Sequence, residues 1–141
     1  MTVEVRVRRL QESAQLPVRQ SEGAAGYDIY AVEDVLVPAQ GRALVHSGIA
    51  LAIPHGYEGQ VRPRSGLALR YGVRAHLGTI DSDYRGELQV LLHNDAAEDY
   101  KVQAGDRVAQ LVIAPVVAAD FVEADLDETR RGEGGFGHTG S

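Results

Sequence analysis

Residues 1–10 read MTVEVRVRRL. Val3, Val5 and Val7 alternate with Glu4, Arg6 and Arg8, a two-residue period that gives a half-buried strand one apolar face. Similar alternation, or a short apolar run, recurs at residues 27–31, 34–37, 42–53, 59–63, 73–80, 86–94 and 106–114. Gly, Pro, Asn and Asp punctuate these segments at 38–41, 54–56, 94–95 and 103–106. One segment reads as helix: Ser65 suits an N-cap, and Leu67, Ala68 and Leu69 favour helix across Ser65–Tyr71. There is no internal repeat. Many short strands with one short helix predict an all-β fold, a jelly-roll-like barrel or sandwich.

The 141 residues suffice for one domain with its own core. Residues 1–115 carry the strand pattern; beyond Pro115 it dissolves into an acidic stretch at 120–128 and a glycine-rich end, RGEGGFGHTGS, at 131–141. Residues 116–141 are therefore expected to be a flexible C-terminal arm. Glycine has the most conformational freedom to lose, so this ending orders only around something that offsets the entropy. Its Arg131 and Phe136 suit an anion and a flat ring, both of which a nucleotide offers; the alternative is a disordered terminus.

The 14 Lys and Arg against 20 Asp and Glu give a net charge of −6, which argues against nucleic acid as a partner. Lys101 is the single lysine, and the many arginines suit phosphate clamps or reflect genome composition. There is no cysteine, hence no disulfide, thiolate nucleophile or zinc–thiolate cluster. The N-terminal segment lacks the apolar centre of a signal peptide, and no run approaches a membrane span. A soluble, cytoplasmic protein is the expectation, with no membrane partner.

Four places could carry chemistry. Arg64, Ser65 and Gly66 stand where a strand gives way to the helix, a position that offers free N–H groups to a phosphate or is an ordinary cap. Asp81 ends an apolar run with Tyr84 three residues later; it is either a carboxylate aimed at water or part of a hairpin turn. Aspartate is a weak base, so the water's target would need prior activation. Asp28 lies inside a strand, where an acid is disfavoured unless a partner or a metal ion engages it. Gln110 is polar among apolar neighbours and suits either a ligand or an internal hydrogen bond.

In order, AAGYDIYA (24–31), PRSGLA (63–68), GTIDSDYRGEL (78–88), GDRVAQLVI (105–113) and RGEGGFGHTGS (131–141) resemble the five motifs of trimeric deoxyuridine triphosphatases. The resemblance implies a jelly roll, a homotrimer with active sites shared between subunits, and hydrolysis of dUTP to dUMP and pyrophosphate with Mg²⁺ on the triphosphate. It implies that Asp81 activates the attacking water and that Tyr84 lies under the deoxyribose, leaving no room for a 2′-hydroxyl. Arg64, Ser65 and Gly66 would hold phosphates, supported by Gln110, and Asp28 would reach the metal through water. Arg131 would clamp the terminal phosphate, Phe136 would stack on uracil, and Gly137 to Thr139 would complete a lid. Uracil recognition is expected from the main chain of a hairpin at residues 73–80, with Thr79, Ile80 and Gln89 lining the pocket; the Asn common in this loop is replaced by Ala75-His76-Leu77-Gly78. His76 and His138 have no expected role in the reaction. A related deoxycytidine triphosphate deaminase would need a glutamate at the position of Leu91, and leucine moves no proton. A non-catalytic nucleotide-binding jelly roll is the other alternative.

Overall fold

The N-terminal alternation packs as its period requires. In a computed structural model describing residues 2–137, Val3, Val5 and Val7 are half-buried and their charged neighbours exposed, although the paired strand β1 is only Arg6–Arg9. The remaining elements among the described residues are β2 (Tyr27–Tyr30), β3 (Val35–Val37), β4 (Arg42–Ala52), β5 (Tyr57–Arg62), α1 (Ser65–Tyr71), β6 (Val73–Ala75), β7 (Gly78–Ile80), β8 (Glu87–Asn94), β9 (Tyr100–Val102) and β10 (Arg107–Pro115). Two four-stranded antiparallel sheets, ordered β1-β4-β8-β6 and β2-β10-β5-β7, enclose one apolar core, and a β3-β9 ribbon packs against β4 and β8. This is the all-β, jelly-roll-like architecture expected.

Burial follows the pleat. On β8, Leu88, Val90, Leu92 and Asn94 are buried and alternate with more exposed Glu87, Gln89, Leu91 and His93. Beside them on the same sheet lie Val45, Ile49 and Leu51 of β4, and the opposite sheet contributes Ile29 of β2, Val61 of β5 and Leu111 of β10 to the same core. The one polar member of the β8 inner row is satisfied: Asn94 Nδ2 donates to the carbonyls of Val37 (3.1 Å) and Glu98 (2.9 Å), and its Oδ1 accepts from Ala96 N–H (2.9 Å).

Two local expectations need correction, and one element was missed. Residues 73–80 are not a hairpin: β6 pairs with β8 in one sheet while β7 pairs with β5 in the other, so the chain crosses between sheets at His76–Leu77. Ser65 is not the N-cap of α1; that position falls to Arg64 in extended geometry, with no side-chain cap, leaving the Ser65 hydroxyl free of that duty. The three-residue β9 went unpredicted. Beyond β10, residues 116–137 form neither helix nor strand, and Val117, Phe121, Val122 and Leu126 are exposed. Among the described residues no helix is long and apolar enough to cross a membrane.

Leu92 is fully buried at the centre of the core. Leu92→Ala should therefore cost about 2–5 kcal/mol of stability, read as a lowered urea midpoint with an unchanged denaturant slope.

Candidate active site

Asp28 organises the first half of the site. It sits on β2 with its carboxylate nearly buried, paired in register with Gln110 of β10, which in turn pairs with Arg62 of β5. A charge in such a place needs partners. Its Oδ2 accepts from Gln20 Nε2 (2.8 Å) and lies 3.6 Å from Arg107 Nη1, while its Oδ1 lies 3.8 Å from Arg64 Nε. Arg64 also donates from Nη1 to the Arg107 carbonyl (3.3 Å). The start of α1 and the start of β10 are thereby fastened to one carboxylate.

Arg64, Arg107 and Arg70 line a cleft of about 430 Å³ with Gly66, Tyr71 and Tyr100. The two tyrosine rings lie 5.0 Å apart, and burial is the main reason the Tyr100 hydroxyl is pushed above its ordinary pKa. Ser65 is exposed at the first turn of the helix. Arg64 and Arg107 beside the helix start, with Arg70 from its last turn, suit an extended polyanion. Gln110 crosses Gly26 so closely that a Cβ there would lie 3.1 Å from both its Cβ and its Cδ, and nearer still to its amide oxygen. Sequence reasoning missed Arg107 and Gln20 as partners of Asp28, and it missed Gly26 as the floor under Gln110. Arg107 was within reach, since it lies in the GDRVAQLVI motif quoted for Gln110.

The second half of the site lies elsewhere. Asp81 is exposed immediately after β7, at a turn closed by Tyr84 N–H donating to the Asp81 carbonyl (3.1 Å). The Tyr84 hydroxyl donates to the Glu87 carbonyl (2.9 Å), and Ser82, Asp83 and Arg85 line a separate hollow of about 460 Å³. Thr79 is exposed on β7, whereas the Ile80 side chain is buried in the core, so only its main chain could meet a ligand. Gln89 is exposed on β8, beside Glu87 and His46.

The strand register sets these halves apart. Ile80 pairs with Gly59 near one end of β5, while Arg62 at the other end leads into Arg64. Three residues of strand rise are roughly 10 Å, and the step from β7 across the sheet to β2 adds three strand spacings of about 4.8 Å each. Among the described residues, the tail completes neither half within the chain. Arg131 Nε donates to the Gly134 carbonyl (2.6 Å), and Phe136 is fully exposed with φ 48°. Thr139, with His138, lies outside the described residues. Asp28, Gln110 and Arg64 are thus brought together, as are Asp81 and Tyr84, but in separate places.

A protein-family profile described as dUTPase matches residues 12–140. The chain belongs to the dUTPase family. A relative named deoxyuridine 5'-triphosphate nucleotidohydrolase from Syntrophotalea carbinolica is 57% identical over 145 residues, covering 99% of this chain and 98% of the relative. A variant of the dUTPase of Staphylococcus bacteriophage 80alpha, solved with dUpNHpp, superposes with a TM-score of 0.92 at 29% identity, covering 99% of this chain and 100% of the phage protein. A variant dUTPase from phage phi11 of S. aureus, whose structure was described for its coordination of a structural Mg(II) ion, gives a TM-score of 0.81 at 29% identity, covering 87% of this chain and 97% of that one. Among the described residues of the present dUTPase family member, no group of three or more acids or histidines could hold a metal on its own.

Gly26→Ala should push Gln110 off its course and cost up to about 100-fold in turnover. Gly23, where an added Cβ would meet nothing within 4 Å, is the control: Gly23→Ala should be neutral when both variants are assayed with folding checked by circular dichroism.

Proposed function

We propose that this chain hydrolyses dUTP to dUMP and pyrophosphate as a homotrimer, each active site joining the arginine cradle of one subunit to the strand-end carboxylate of another. The observation that carries the shared site is the placement of Asp81 and Arg64 at opposite ends of β5. A carboxylate that distant from the phosphate-binding groups of its own chain acts on a phosphate only if a second copy presents one. Closed symmetric assembly is the ordinary way to supply it.

In the reaction, Asp81 orients a water and accepts its proton as the water oxygen bonds to the α-phosphorus. The bond from that phosphorus to the bridging oxygen breaks, and pyrophosphate leaves. Arg64, the Ser65 hydroxyl and the Gly66 main chain bind the phosphates and receive the charge that develops on the leaving group. Gln110 supports the same side. Such transfers need mainly positioning and charge neutralisation, which the cradle supplies in a fixed arrangement.

Mg²⁺ fits as an ion held chiefly by the substrate's phosphates. Two carboxylate oxygens offer about four acceptor sites, so the Gln20, Arg64 and Arg107 contacts leave Asp28 capacity to hold one metal-bound water. Bound there, the ion would neutralise phosphate charge and polarise the α-phosphorus. Tyr84 forms the shelf under the deoxyribose, and the main chain at Thr79 and Ile80, with Gln89 nearby, recognises uracil. The arm, residues 116–141, carries Arg131 to the terminal phosphate and Phe136 to the base, with Gly137 and Thr139 closing the lid. In the cytoplasm this activity would lower dUTP and supply dUMP for thymidylate synthesis.

Asp81→Asn should keep affinity for dUpNHpp and lose about 10²–10⁴-fold in turnover, as read by pyrophosphate release; near-normal turnover would remove Asp81 from its role. Deleting residues 132–141 should leave the fold and oligomer intact while crippling turnover. Loss of the trimer in that truncation, seen by light scattering, would show the tail to be structural.

A further inference from the structure

β4 carries two more residues than β8 between paired positions: His46 lies opposite Gln89, and Ala50 opposite Glu87. The excess forms a bulge at residues 47–49, where Gly48 has φ 73° and a Cβ would meet Ala14 and Val32 at 3.0 Å. Glu87 braces this bulge from the first position of β8. Its Oε2 accepts the Gly48 N–H (2.9 Å), and its Oε1 lies 2.7 Å from His46 Nδ1. The bulge is held from other sides too, by Leu10 N–H on the Gly48 carbonyl (2.7 Å) and Val32 N–H on the His46 carbonyl (2.9 Å). Glu87 is therefore among the most firmly anchored residues next to the turn.

The same residue supports Tyr84. The tyrosine hydroxyl donates to the Glu87 carbonyl (2.9 Å), and its ring lies over Gly86, where a Cβ would come within 2.6 Å of Cζ. We infer that Glu87, clamped by His46, is a positioning residue that fixes the Tyr84 ring and thereby sets how strictly a 2′-hydroxyl is excluded. The inference deepens the reading of Tyr84 as the sugar shelf and rests on it. The ring's hydroxyl end hangs from a carbonyl whose own residue is tied to β4, so loosening that tie lets the shelf move.

The clamp is charge-sensitive. His46 is faced by Glu87 from β8 and by Glu33 from the turn after β2; the Glu87 hydrogen bond is the main reason its pKa is raised, against a smaller opposing effect of burial. For Glu87, burial alone would push the pKa up, but donors from His46, Gly48 and Gln89 outweigh it and leave it lowered. A raised histidine contributes fully below its ordinary value of 6.5 and fades as pH rises through the raised one. A lowered glutamate contributes fully above its ordinary value of 4.5 and fades as pH falls through the lowered one. The pair is thus fully charged between those two values, and on the alkaline side it loses its charge as pH rises through the raised His46 pKa.

The test measures kcat and KM for dUTP and UTP across pH in the full-length enzyme. Glu87→Gln, which keeps the length and the main-chain carbonyl, should reduce discrimination against UTP roughly tenfold, chiefly through a lower KM for UTP. His46→Gln should act in the same direction, and it carries the test should Glu87→Gln fail to fold. In the parent enzyme discrimination should weaken as pH rises through the raised His46 pKa, and in both variants that pH dependence should vanish. Tyr84→Ala should relax discrimination by itself, and Glu87→Gln should add nothing in that background. Unchanged discrimination in His46→Gln and Glu87→Gln, or effects additive with Tyr84→Ala, would overturn the inference while leaving the shelf reading in place. Tyr84→Ala that still rejects UTP would overturn both.

Discussion

A carboxylate with almost no access to water, bracketed by two guanidiniums, holds one half of the candidate site together. The nearly buried Asp28 carboxylate is matched by Arg64 and Arg107, whose nitrogens lie 3.8 Å and 3.6 Å from its oxygens. In turn those arginines could not converge without it, because like charges repel and long side chains lose entropy when fixed. The consequence is that α1, β2 and β10 meet at one point, and their arginines present nitrogen donors toward the cleft. Gln110 and Gly26 belong to the same device, since the glycine's missing side chain is the space through which the glutamine passes. A polyanion entering the cleft meets groups already arranged, which is how positioning becomes catalysis in phosphoryl transfer.

The second constraint is topological. β7 is antiparallel to β5, so the chain that leaves the cradle end of β5 delivers Asp81 near the opposite end. Nothing in side-chain chemistry reverses that, because register is fixed by which face is buried. Ile80, sunk in the core one residue before Asp81, pins it. The two halves of the candidate site are therefore separated within a chain, and under the proposed function association would be part of the chemistry rather than an addition to it. The exposed apolar residues beyond Pro115, including Val117, Phe121 and Leu126, fit a chain whose arm finds its contacts on neighbours.

Much of this was legible in the residues. The long strands β4 and β8 announced themselves through apolar runs and alternation, and the all-β class followed. The five motifs singled out Arg64, Asp81 and Gln110 as candidates, and the fold places Arg64 and Gln110 beside Asp28 while setting Asp81 apart. What could not be read was pairing between distant segments. Residues 73–80, VRAHLGTI, contain one Gly and no turn pair, so nothing local reveals that the chain changes sheets there. β9 has three residues, too few for a period to show. Ser65 has the right chemistry for a cap, but the helix takes it as its first residue and leaves Arg64, extended after Pro63, in the cap position. Arg107 needed only the question of what neutralises a strand-interior aspartate, and the Glu87–His46 clamp needed the bulge that brings them together.

The most direct measurement is complementation between two inactive forms. Arg64→Ala would lack the proposed cradle arginine and Asp81→Asn the proposed base; mixed in equal amounts, unfolded and refolded together, they would form hybrids of the proposed trimer. If each site takes its cradle from one subunit and its carboxylate from another, about a quarter of the sites receive both intact parts, and pyrophosphate release from dUTP returns to about that fraction of the parent rate. A refolded mixture no more active than either variant alone would contradict the account, because it would mean that both groups must come from one chain.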